Sequence, residues 1–436
     1  MKKNKLLLET KDCLPFDNKW NGQLREFAEC GKKASVFNLL SSNQEPEPII
    51  NFNYQEKKWY AGRYIGSISF TDKKKDITIS IKPRFGKTIL FKMFEELFNI
   101  KFDQGQSPFN TQDNSYYLKI LISFIWLQKL ANANRHGLPQ IKKEIHHTGY
   151  TLKGRLLIKP TLKNLFKNGK ADSATKEIIL DKTINDILHQ AHQILKRKYQ
   201  LAFLTIPDNA REAIQQFNSS FSQYRKVTFH EYRSIKYHPM YQNYKNVVDF
   251  SWQIINSSNG FDDQHQNKNI SGFFLDMAEI WENYIRSVLK KYFILYGWHC
   301  VESEYIVYPD RFYKRKIIPD IVFERDGSFC IFDAKYKKME YRHGFTDLDR
   351  NDFFQIHTYI SYFQQKGSVL FGGLIYPVTV KDVDYSRILP IPLFDSSQTT
   401  LFFADGPLIS DNEIKLDNFL NRMLEPDSLL VRVDKY

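Results

Sequence analysis

Between residues 49 and 83, apolar and polar positions alternate in three short runs, NFNY (51–54), GRYIGSISF (62–70) and DITISIKP (76–83), divided by charged or glycine-bearing turns such as 71–75. A period of two is that of a half-buried strand, so the segment reads as a small antiparallel β unit. The period lengthens to that of a helix at 90–97 and again at 116–130, where LKILISFIWLQKL is apolar nearly all round and is expected to be buried on every side. Two amphipathic helices are predicted next, 181–204 and 208–221, the second starting just after Pro207. INSSNGFDDQHQNKNIS (255–271) is polar and aperiodic. The chain is therefore expected to divide there into an N-terminal domain, 1–258, and a C-terminal domain, 270–436.

Past that boundary, Phe273, Met277, Ile280, Tyr284, Val288 and Leu289 recur at helical spacing over 273–293. Strand-like runs follow at 302–308 and 315–324, then the turn signal Asp326-Gly327 and a third run at 329–336. DRNDFFQIHTYISYFQQKG (349–367) has the acidic start and glycine stop of a helix, and 368–377 returns as an apolar strand. The fold class is α/β in the broad α+β sense. No internal repeat or long low-complexity segment is visible.

Length supports this division, because 436 residues exceed what one hydrophobic core commonly holds. A content of 42% hydrophobic and 15% aromatic residues excludes a disordered chain. The net charge of +13 is uneven: residues 270–436 carry 20 Lys and Arg against 24 Asp and Glu, leaving 42 against 25 for residues 1–269. Such a basic N-terminal part suits phosphate contacts, an acidic protein partner or plain solubility. TLKGRLLIKPTLKNLFKNGK (151–170) includes Lys153, Arg155 and Lys159 and no acid, and within a hairpin-like stretch 137–170 it reads either as a contact surface or as a solvated charge run.

The four cysteines, Cys13, Cys30, Cys300 and Cys330, form no CxxC pair, which argues against a zinc ribbon or a disulfide framework and fits a reducing cytoplasm. MKKNKLLLETKD lacks the apolar run of a signal peptide, and no window approaches a membrane span. The His146-His147 and His189/His192 pairs lack the companions of a zinc site and read as structural or solvent-facing.

Candidate chemistry concentrates in IIPDIVFERDGSFCIFDAKYK (317–337). With Asp326-Gly327 as a two-residue hairpin turn, cross-strand partners have numbers summing to 653, which sets Asp320 directly opposite Asp333. Facing carboxylates about 5 Å apart repel unless something positive lies between them. The strand period puts Lys335 on the face of Asp333, with Phe332 and Ala334 on the other. Two carboxylates and an ammonium suit Mg²⁺, which prefers oxygen ligands, acidifies bound water and neutralises charge on a reacting phosphate. A surface hairpin with merely solvated charges is the plain alternative; the surrounding Ile317, Ile318, Ile321, Val322, Phe323, Ile331 and Phe332 weigh against it. Gln355 and Tyr359, four apart, share one face of the downstream helix.

These motifs, with Glu282 on the preceding helix, resemble the PD-(D/E)xK nuclease superfamily, and the QxxxY element resembles its RecB-like branch. AGRYIGSISF…ITISIKPRFG (61–86), GLPQIKKEIHHTGYTLKGRLLIKP (137–160), FFLDMAEIWENYI and DAKYK are similar to segments of the McrC family, the nuclease subunits of McrBC-type restriction systems. The resemblance implies a restriction-endonuclease-like C-terminal domain, a central mixed sheet flanked by helices, behind a mixed β and helical N-terminal domain that docks on a partner. It implies a type IV endodeoxyribonuclease subunit of antiviral defence that uses Mg²⁺, with Mn²⁺ as substitute, on modified double-stranded DNA beside a hexameric AAA+ GTPase of the McrB type. Asp320, Asp333, Glu282 and the main-chain carbonyl of Ala334 would hold the metal, with Glu279 a rival for Glu282's role. Lys335 would activate water, with Gln355 and Tyr359 beside it, and Lys153, Arg155 and Lys159 would touch the partner.

The one Walker-like fragment, Phe85-Gly86-Lys87-Thr88, has Ile81 where a P-loop needs glycine, so a nucleotide-driven step needs a second protein. Unclustered cysteines weigh against the iron-sulfur members of the branch. A free-standing or helicase-partnered nuclease, and a non-catalytic DNA-binding adaptor, are the competing readings.

Overall fold

The computed structural model describes residues 4–30, 36–37, 47–72, 75–98, 114–199, 206–220, 224–259, 271–301, 304–337, 341–342, 345–346, 349–379, 390–395, 399–410 and 413–423. They fall into two compact units, the first made of 1–110 with 272–436, the second of 111–271. The expected cut at 255–271 coincides with one edge of the second unit, although 260–270 lie outside the described residues. Residues 1–110 do not group with 111–258 as a single N-terminal domain would. The reason is a long-range strand: Ser271–Asp276, of which 273–276 is expected from periodicity to begin a helix, pairs beside Tyr64–Asp72 in a sheet ordered Asn4–Lys11, Lys75–Lys82, Tyr64–Asp72, Ser271–Asp276, Val36–Phe37.

That sheet keeps the alternation of DITISIKP, since Ile77, Ile79 and Ile81 are all buried. Lys75–Lys82 pairs antiparallel with Tyr64–Asp72 and parallel with Asn4–Lys11, so the β unit is mixed, and Ile50–Asn53 with Lys58–Ala61 forms a separate hairpin. The strand Ser271–Asp276 runs directly into the helix Met277–Phe293. Asp276 caps that helix by accepting the N–H of Ala278 at 2.9 Å, and its other oxygen pairs with Arg63.

The second sheet of this unit has the order His299–Cys300, Ile321–Arg325, Ser328–Ala334, Ser368–Ile375, Leu401–Asp405, Ile391–Pro392. It is antiparallel as far as Ser328–Ala334, then parallel through Leu401–Asp405. The parallel step is made by the helix Arg350–Gln364, which crosses one face and packs Ile356, Ile360 and Phe363 with Ile331, Val369 and Leu374. The opposite face takes the helix Met277–Phe293, whose Phe293 stacks on Phe323 at 4.4 Å and meets Phe332 edge-on. A mixed sheet flanked by helices is thus what the C-terminal part adopts.

In the second unit, the helix Asn114–Ala133 is buried almost all round, as its composition requires. Lys182–Lys198 is capped by Asp181, with 200–204 of the expected longer helix outside the described residues, and Asp208–Ser220 follows Pro207. A ten-pair hairpin joins Gln140–Gly149 to Ala171–Leu180, and the helix Ile158–Asn168 packs against it. Among the described residues no helix is long and apolar enough to cross a membrane.

Candidate functional site

The turn at Asp326 (φ 51°) and Gly327 (φ 72°) holds two successive left-handed residues, which Asp-Gly tolerates and most pairs do not. It fixes the register Ile321↔Phe332, Val322↔Ile331 and Phe323↔Cys330, the pairing the sum of 653 demands. The ladder stops one residue short of Asp320. Its side chain instead takes the role of a strand acceptor, with Oδ2 receiving the N–H of Ala334 at 2.8 Å. Asp320 and Asp333 are therefore neighbours, although the expected directly opposed ladder pair is replaced by this side-chain bond.

Asp333 is 1% exposed, and neither carboxylate oxygen has a hydrogen-bond donor in good geometry among the described residues. Among the described residues its one close cation is Lys335, with Nζ 2.5 Å from Oδ2. The ammonium also donates to Gln355 Oε1 at 2.9 Å. Gln355 Nε2 donates to the Tyr359 hydroxyl at 2.7 Å, and that hydroxyl donates to the carbonyl of Ile318 at 3.2 Å. One chain of contacts thus runs from the strand carrying Asp333, across one face of the helix Arg350–Gln364, back to the residues just before Asp320.

Glu282, on the helix Met277–Phe293, pairs with Arg286 Nη2 at 2.6 Å, and the same guanidinium binds the carbonyl of Asp320 at 2.6 Å. Burial raises the Glu282 carboxyl above its ordinary value, with the charge of Asp333 adding to the effect against Arg286. Burial, then Asp333 and Glu282, push Asp320 well above the usual carboxylate range. Lys335 goes the other way from a typical buried lysine. Burial alone would lower it, but Asp333, Asp320 and Asp352 raise it, so it stands as an ammonium.

A family model described as "McrBC 5-methylcytosine restriction system component" matches residues 60–377, a span holding Glu282, Asp320, Asp333, Lys335, Gln355 and Tyr359. The chain belongs to that McrBC component family. The expected family resemblance is borne out, over a matched span that begins beyond residues 1–59. A chain of the refined half-complex from a tetradecameric assembly of Thermococcus gammatolerans McrB AAA+ hexamers with bound McrC is similar at 16% identity and TM-score 0.50, covering 96% of this chain and 98% of that one. A chain of the cryo-EM structure of the Thermococcus gammatolerans McrBC complex gives 16% identity and TM-score 0.35, over 66% and 87%. No curated protein matches.

Within this McrBC-family site, the residues suit a hard divalent cation by two observations. Asp333 is a buried carboxylate held by Lys335 whose oxygens meet no hydrogen-bond donor in good geometry among the described residues, and Asp320 and Glu282 are carboxyls whose ionisation burial and the charge of Asp333 oppose. Among the described residues no three His, Cys, Asp or Glu side chains are already drawn together as a metal cage. Arg286 holds Glu282 and Lys335 holds Asp333. Glu279 is buried, whereas Glu282 is the helix carboxylate that feels Asp333 and Lys335. Lys153, Arg155 and Lys159 are exposed and belong to the second unit, where Arg155 pairs with Glu144.

Two residues of the site escaped the sequence reading. Arg286 sits four after Glu282, the spacing of a helical ion pair, and that was its available signal. Asp352 lies three before Gln355 on the same helical face. It is buried, 3.8 Å from Lys335 and 2.8 Å from Lys337, and accepts from the Tyr376 hydroxyl.

Proposed function

We propose that this McrBC component is the nuclease subunit of its system: a Mg²⁺-dependent endonuclease of the PD-(D/E)xK type that hydrolyses phosphodiester bonds of duplex DNA. The observation that carries the proposal is the meeting of Asp320, Asp333 and Lys335 with Gln355 and Tyr359 at the C-terminal end of an interior strand of one mixed sheet. Asp320, Asp333, Glu282 and the Ala334 carbonyl would hold the metal, with Mn²⁺ as its substitute. A bound Mg²⁺ supplies an acidified water and a positive charge for the reacting phosphate. Lys335, fixed between Asp333 and Gln355, is placed to orient an attacking water and to donate to the charge that develops on the phosphate. Tyr359 and Gln355 hold the lysine in line, and Arg286 fixes the main chain at Asp320.

We further propose that the second unit docks on a hexameric AAA+ GTPase of the McrB type. The related solved structure contains McrB AAA+ hexamers with bound McrC. In this chain the helix Ile158–Asn168 exposes Leu162, Leu165 and Phe166 beside Lys159, Lys163 and Lys167, so a solvated charge run is an incomplete description of it.

The test is cleavage of methylated and unmethylated duplexes by the chain with its partner ring, in Mg²⁺ and in EDTA. Asp333→Ala and Lys335→Ala should abolish cutting and leave stimulation of the GTPase intact. Wild-type cutting by both variants would sink the assignment.

A further inference from the structure

The residues just ahead of Asp320 form a hairpin, Tyr305–Val307 with Arg315–Ile317. Its base is anchored. Tyr305 and Ile317 oppose each other and pack on the cluster containing Ile356, Tyr359 and Phe363, and the next carbonyl, Ile318, accepts from Tyr359. Its tip is built differently. Phe312 is 99% exposed and Tyr308 57%, with Tyr308 in the left-handed region at φ 54°, uncommon for a bulky residue. The rings form a small array, Tyr308 to Tyr313 at 5.3 Å and Phe312 to Tyr313 at 4.9 Å.

Around this array stand Arg311, Lys314 and Arg315, exposed and without a carboxylate partner among the described residues, while Lys316 pairs with Glu304 at 2.6 Å. Four of the 20 Lys and Arg of residues 270–436 thus fall within six positions, in a stretch where acids outnumber bases. A wholly exposed phenylalanine adds nothing to the core, and exposed cations interspersed along the chain with exposed aromatic residues suit a polyanion that carries bases. The tip is eight residues from Asp320, at most ~27 Å of extended chain, about the rise of eight base pairs.

We propose that this hairpin is a DNA-contacting wing of the nuclease site, with Arg311, Lys314 and Arg315 on backbone phosphates flanking the cleaved bond and Phe312 against a sugar or base edge. The inference rests on the nuclease reading and adds to it a grip on the substrate from the acidic C-terminal part. The anchored base couples that grip to the helix bearing Gln355 and Tyr359, so DNA held at the tip is held in register with the site.

The experiment is fluorescence anisotropy of a labelled 30-base-pair duplex with full-length Asp333→Asn protein as the cleavage-silent parent, over ~50–200 mM salt. Adding Arg311→Ala, Lys314→Ala and Arg315→Ala together should weaken binding at least ~10-fold and reduce the slope of log affinity against log salt by about 2–3. Phe312→Ala should weaken binding ~3-fold or more with the slope unchanged. Equal binding by parent and triple variant overturns the wing while leaving the nuclease reading intact, and so does a triple variant that keeps DNA but loses the partner ring. A parent that does not bind duplex also overturns it. Cleavage by the chain bearing Asp333, run in parallel with the partner, tests the nuclease reading separately.

Discussion

The carboxylate of Asp320 accepts the main-chain N–H of Ala334, which ties the approach to one strand to the residue between Asp333 and Lys335 on the next. Asparagine in place of Asp320 can accept the same bond without bringing a charge. Asp320→Asn should therefore lose cleavage by at least ~100-fold, about 2.7 kcal/mol of barrier. Its melting temperature in EDTA should equal or exceed wild type, because burial and two neighbouring carboxylates oppose ionisation at this position. Cleavage kinetics beside thermal denaturation check both halves; a clear drop in melting temperature would contradict the electrostatic account.

Tyr359→Phe removes the hydroxyl that Gln355 donates to and that itself donates to Ile318. The cost in stability should be ~1–2 kcal/mol, that of polar groups left without a partner. Cleavage should fall about 10-fold through looser placement of Lys335, with kcat reduced more than KM is raised. An unchanged kcat would mean that the Gln355 contact alone holds the lysine.

His192 makes stability pH-dependent. It is buried in the second unit, stacked on Trp126 at 6.1 Å, and burial, then His189 and Lys196, lower it to about 4. Above its unfolded value near 6.5 both states are neutral and its contribution is fully present. As pH falls from 6.5 to 4 the unfolded chain takes up a proton that the folded chain refuses, and up to about 3 kcal/mol is lost. Denaturant unfolding at several pH values should show this slope in the wild type and a shallower one in His192→Phe.

Gly372 lies in the central strand Ser368–Ile375, where an added Cβ would come 2.2 Å from Ile360 on the crossing helix. In Gly372→Ala the Ile360 side chain must give way, which disturbs the packing of the helix bearing Gln355 and Tyr359 on the sheet. A loss of ~1–3 kcal/mol is expected, together with reduced cleavage. Alanine tolerated at full stability would show that Ile360 can move aside at no cost.

Phe166, 87% exposed on the helix Ile158–Asn168, contributes little to folding. Phe166→Asp should leave the melting temperature within about 1 °C and weaken capture of the GTPase ring at least ~10-fold. Undiminished co-purification would remove this helix from the docking surface.

Local chemistry makes the arrangement of these candidate residues legible in the sequence. Asp326-Gly327 can form few turns, and that turn alone sets which residues of the two strands meet. The helix period aligned Gln355 with Tyr359 in the same way. What stayed hidden depends on groups distant in sequence. Nothing in SGFFLD says that a strand beside Tyr64–Asp72 will claim it before the helix begins, and nothing in NKLLLETK says that it will pair parallel with Lys75–Lys82. Asp320 departs from the simple register because a side chain, which ladder arithmetic ignores, took the next donor.

The strand Ser271–Asp276 also has a meaning in time. Until the ribosome has made it, the edge of Tyr64–Asp72 stays open, for roughly 200 residues or some 10–40 s of synthesis, while the intervening unit can fold on its own contacts. Closing that edge draws in the helix bearing Glu282, and the strand of Asp333 follows later still. A chain interrupted before residue 333 lacks Asp333, and with it one member of the carboxylate set on which the proposed cleavage depends.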